Sequence, residues 1–102
     1  MKTTELTAIT EQLLEKLKCD GYSESVIGTA RWILGHFHHY CGDKGIDSVD
    51  VPVAVQFIRE CFGFDYYNTV TPMQTVVRRP ILILFEFEQA GNYKKTHQRG
   101  ST

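Results

Sequence analysis

Apolar side chains in this chain return every three or four residues, and that rhythm narrows what it can fold into more than any other feature. Between residues 6 and 17 they fall at Leu6, Ile9, Leu13, Leu14 and Leu17, the spacing that gathers side chains on one face of a helix. Glu5, Glu11, Glu15, Lys16 and Lys18 stand outside the stripe, so this segment is a first amphipathic helix. Asp20-Gly21 ends it, because glycine enters the left-handed conformation at a helix terminus without a Cβ penalty.

The rhythm resumes with Ser23 in the N-cap position. Val26, Ile27, Ala30, Ile33, Leu34, Phe37, Tyr40 and Cys41 follow on one side, predicting a second helix that ends near Cys41, before the turn cluster Gly42-Asp43-Lys44-Gly45. Asp50-Val51-Pro52 is a cap followed by a first-turn proline and opens a third helix, carrying Val53, Val55, Phe57, Ile58, Cys61 and Phe62. Thr71-Pro72 repeats that signal for a fourth, running through Val76, Val77, Ile81, Leu84 and Phe85 to Gly91. Pro80 lies inside it and is expected to kink or divide it. The expected architecture is all-α: four helices forming one domain over residues 1–91, followed by a polar, basic tail over 92–102.

Composition is consistent with a folded domain. The chain has 102 residues, 42 % of them hydrophobic, with six Phe, five Tyr and one Trp to fill a core. Cys19, Cys41 and Cys61 are odd in number and widely spaced, suggesting neither a disulfide framework nor a zinc ribbon. The start of the chain lacks the apolar core of a signal peptide, and the longest apolar run, Ile81 to Phe85, is far too short to span a membrane. A cytoplasmic protein without a membrane partner is expected.

Catalytic constellations are thin. No phosphate loop, nucleophile elbow or dinucleotide fingerprint is present, so neither a cofactor nor an enzymatic activity is expected of this chain. His36, His38, His39 and Cys41 cluster late in the second helix, but helical geometry turns His38 away from the other two histidines, and no metal is expected there. Cys41 sits on the apolar stripe as a small hydrophobe. Glu86 and Glu88, two apart on a helix, diverge.

What remains is a surface. The net charge of -1 hides a gradient: residues 71–102 carry five basic groups against two acidic ones, whereas 43–70 carry two against five. Opposite its apolar stripe the second helix shows hydroxyls, glycines and Arg31. Ser23, Ser25 and Thr29 are placed to offer hydroxyls to phosphate beside the positive end of the helix dipole. Arg78 and Arg79 on the fourth helix, with Lys94, Lys95 and Arg99 beyond it, form the basic patch of the sequence. Duplex DNA is the partner such a surface suits. The competing expectation is a small helical protein-interaction module, using Trp32, Tyr66 and Tyr67 as exposed anchors and open to weak self-association.

The order of these features resembles a known family. Leu-Leu-Glu-Lys-Leu-Lys-x-x-Gly-Tyr-Ser-Glu-Ser-Val-Ile, from Leu13 to Ile27, with Leu34, Phe37 and Tyr40 spaced behind it, is similar to the opening of the core-binding domain of tyrosine recombinases, the phage-integrase family. The stretch from Arg78 to Phe87, closing with Gln89-Ala90-Gly91, resembles that domain's fourth helix. The resemblance implies a four-helix SAM-like bundle whose second and fourth helices face one side of a recombination site. It also implies that the catalytic residues belong to a separate domain, and that the chain is either part of a longer integrase, with the tail after Gly91 as the start of the covalent linker to that domain, or a stand-alone relative. Val26, Gly28 and Ala30 stand where family members usually carry Thr, a polar or basic residue, and an aromatic, and Leu84 where a second arginine is common. Those departures predict weak DNA binding by the domain alone.

Overall fold

The computed structural model describes residues 1–93 and contains four α-helices in sequence: α1 (Thr3–Cys19), α2 (Glu24–Asp43), α3 (Val51–Phe62) and α4 (Pro72–Ala90). Three of the four starts follow from a polar side chain at the N-cap. The Ser23 hydroxyl accepts the Val26 N–H at 3.2 Å, the Asp50 carboxylate accepts that of Val53 at 3.3 Å, and the Thr71 hydroxyl accepts that of Gln74 at 3.2 Å. At α4 the Gln74 side chain reciprocates by accepting the Thr71 N–H, a capping box that Pro72 completes in the first turn. Gly63 and Gly91 end α3 and α4 with φ of 75° and 71°.

One helix boundary and one helix interior refine the sequence expectation. α2 continues through Gly42 and Asp43, and the reversal comes at Gly45 with φ of 66°, after which the Ile46 N–H closes on the Cys41 carbonyl at 2.9 Å. Of the two glycines in that cluster, only the second adopts the left-handed conformation that breaks a helix. α4 is not divided at Pro80: it is one helix from Pro72 to Ala90, with the proline buried in its interior. The missing N–H forfeits one intrahelical bond, and packing of the apolar ring offsets part of that cost.

The core forms where the four stripes meet. α2 touches all three other helices, while α1 packs on α2 and α4. Leu6, Leu13, Ile33, Phe37, Phe57, Ile58, Ile81 and Leu84 are fully buried. Phe37 stands at the centre, 5.0 Å from Phe57 and 6.5 Å from Phe85 between ring centroids.

Two terminal features tie this bundle together. At the start of the chain the Met1 ammonium donates to the Val49 carbonyl at 3.0 Å, the Val49 N–H returns to Met1 at 2.7 Å, and Lys2 bridges Ser48, clasping the α2–α3 loop. The Thr3 hydroxyl adds a bond to the Ile46 carbonyl. At the end of the described residues Tyr93 is buried, its hydroxyl donating to Asp20 at 2.5 Å.

Candidate functional site

The structure divides the residues singled out in the sequence into three groups. Ser25 and Thr29 on α2 face Arg79 on α4 across a groove of about 410 Å³ between the two helices. They meet because residues 25 and 29 are one turn apart on α2, and α4 lies against that part of α2. Arg79 donates to the Tyr22 hydroxyl at 3.4 Å, which holds the guanidinium at the groove's edge.

Ser23, Arg31 and Arg78 are used elsewhere. The Ser23 hydroxyl is committed to its cap. Arg31 points toward α1, where it pairs with Glu11 at 3.6 Å and lines a small cleft with Thr7, Thr10 and His38. Arg78, adjacent to Arg79 in sequence, is rotated about 100° from it by the helix. It donates to the Tyr66 carbonyl at 3.3 Å, with its Nε buried. The basic pair is therefore split, one arginine fastening the α3–α4 loop and one on the groove. Lys94 and Lys95, with Arg99, lie outside the described residues.

The positions at which the chain departs from the resembled family also separate. Leu84 is fully buried in the core and subtracts from no surface, while Ala30, almost wholly buried, lines the floor of the groove. Val26 and Gly28 are exposed, and Val26 lines the groove. Residues 1–93 carry twelve acidic against eight basic side chains. Any hold on an anion is thus local to the groove, not a property of the whole surface.

The remaining candidates part company. His36 lies edge-on to Trp32 at 4.7 Å, His38 contacts the Thr7 hydroxyl at 3.4 Å, and His39 pairs with Asp43 at 3.4 Å. Among the described residues no three His, Cys, Asp or Glu side chains are grouped to hold a metal ion. Cys41 is fully buried, and burial pushes its thiol up. Of the aromatics expected at the surface, Trp32 and Tyr67 are exposed, but Tyr66 is buried against α4 and carries the carbonyl that Arg78 holds. No helix of the described residues is long and apolar enough to cross a membrane.

Sequence reasoning missed the groove's walls. Leu17 and Val76 were read as ordinary stripe residues and Pro80 only as a helix breaker, and Ile83 was not singled out, yet each borders this opening. Tyr22 entered only as part of the Gly-Tyr-Ser stretch, and its bond to Arg79 was not foreseen because a lone tyrosine in a turn carries no periodic signal. Compared with protein-family models, with curated proteins and with solved structures, the chain matches none.

Proposed function

We propose that this chain is the DNA-gripping module of a tyrosine recombinase: a SAM-like core-binding bundle that holds one flank of a duplex while a linked domain carries out strand exchange. The observation that carries the proposal is the convergence of Ser25, Thr29 and Arg79 from two helices on one groove, at the N-terminal end of α2. Hydroxyls, a guanidinium and the positive end of a helix dipole are the groups that contact phosphate oxygens. Lys94 and Lys95 supply further phosphate contacts in this reading.

A fluorescent duplex titrated at low and moderate salt tests it. Binding at low salt is expected, weakened about tenfold by Arg79→Ala, in line with the loss of one charge-assisted hydrogen bond. Ser25→Ala/Thr29→Ala weakens it less, and Arg31→Ala leaves it unchanged. Lys94→Ala/Lys95→Ala lowers the slope of log affinity against log salt by about two, since each phosphate contact contributes about one. No binding at low salt, or an Arg79→Ala protein that binds like wild type, rules the proposal out.

A second reading, a protein-interaction module, draws on Trp32. It is 56 % exposed and sits edge-on to Phe62 at 6.3 Å, an aromatic pair on the α2–α3 face well suited to anchor a partner.

A further inference from the structure

Phosphate contact accounts for one edge of the α2–α4 groove but not for the apolar surface around its mouth. Met73, Val76, Pro80 and Ile83 recur at three- and four-residue spacing on α4 and so share one face. The last three wall the groove opposite Val26 and Ala30 of α2. Met73 extends that wall by a turn and is 69 % exposed, while Val26 and Val76 remain 42 % and 49 % exposed. Val70, just ahead of the Thr71 cap, is 79 % exposed. A lone surface valine is ordinary, but several beside a methionine and an apolar groove mark a contact surface.

We infer that a second copy of this chain docks on this face, in a two-fold contact with the two Met73 side chains beside the axis, each entering the mouth of the other copy's groove. Shape and charge select that occupant. The same face carries both a protruding side chain and the opening that receives it, as an isologous contact requires. Methionine, unbranched and polarisable, is suited to fill an irregular apolar gap, and the groove of about 410 Å³ has room for it. Residues 66–77 contain no Lys, Arg, Asp or Glu. Near a two-fold axis each residue faces its own copy, so any charge there meets a like charge. A stretch without charge avoids that repulsion and offers nothing to select a charged partner. Area sets the strength: Val26, Val70, Met73 and Val76 leave on the order of 400 Å² facing water, about half of the roughly 800 Å² per partner in a standard interface, which places the dimer among weak, reversible ones. The inference does not depend on DNA binding. Because the contact covers Ser25 and Thr29, a duplex held there and a second copy exclude one another.

Sedimentation equilibrium of the full chain between about 10 μM and about 1 mM tests the inference. The weight-average mass is expected to rise from that of one chain toward that of two and no further, and added salt should not reverse the rise, since apolar burial is not screened. Met73→Glu and Met73→Lys, both at an exposed position, each weaken association by about tenfold or more, because like charges then face one another across the axis. An equimolar mixture of the two variants associates again. Trp32→Ala, on the α2–α3 face, leaves the mass curve unchanged. Circular dichroism of each variant reports that it is folded. A chain that stays monomeric at about 1 mM, Met73 variants that associate like wild type, a mixture that stays monomeric, or association abolished by Trp32→Ala would overturn the inference. So would a mass that climbs past two chains, since an open array of copies is not a two-fold contact.

Discussion

Two buried tyrosines carry a pH dependence that neither would have in water. The Tyr40 hydroxyl donates to Glu60 at 3.2 Å, and its ionisation is pushed up to about 12, first by burial, then by that bond and the carboxylate's charge. Tyr93 is held well above the usual tyrosine range by burial first and then by its bond to Asp20. A folded-state value raised above the unfolded one, near 10.0 for tyrosine, means the protonated form is favoured by folding. The stability it contributes is complete below that unfolded value and is lost as pH rises toward the folded one. Urea midpoints should therefore fall between about pH 10 and pH 12, and Tyr40→Phe/Tyr93→Phe should flatten the fall. A wild-type midpoint that stays level across that window contradicts the assignment. Neither environment was legible in the sequence: Tyr40 reads only as one more stripe residue, and Tyr93 as an isolated aromatic in a polar tail. Burial by a distant element leaves no local mark.

At the level of elements, caps were the most legible signals. Asp50 and Thr71 were readable because a short polar side chain ahead of proline has few other uses, and both satisfy backbone donors as expected. Thr71→Ala should lower the stability of the bundle by about 1 kcal/mol, measured by urea denaturation, with helical content at zero denaturant unchanged. The Gln74 partner makes this cap a two-way one, so Gln74→Ala should cost a further, smaller amount. Less legible was the end of α2, where two glycines competed and only backbone conformation decided between them. The continuity of α4 through Pro80 was also hidden. Propensity sees the lost hydrogen bond, not the tertiary surface that surrounds the ring.

For the molecule as a whole, the four-helix plan was readable from periodicity, but the candidate site was only half so. Sequence proximity presented Arg78 and Arg79 as one patch, whereas α4 turns them to different neighbours, and the groove exists only because α2 and α4 pack together. A contact beyond Gly91 was hidden for a related reason, since Tyr93 returns to the α1–α2 turn, tilted against Tyr22 at 6.4 Å. A chain ending at residue 91 should accordingly be about 2 kcal/mol less stable than one ending at 93, from the lost ring burial and hydroxyl bond. Equal denaturation midpoints for the two would show that this contact contributes nothing.

The clasp between Met1 and Val49 bears on the order in which the bundle assembles. The helices are built from contacts a few residues apart, which form quickly, whereas this pairing closes a loop of nearly half the chain, its partners standing 48 positions apart. The entropy of closing that loop is recovered only once α1 and α2 already lie side by side. The clasp is thus expected to close late, so weakening it should speed unfolding of the finished bundle more than it slows folding.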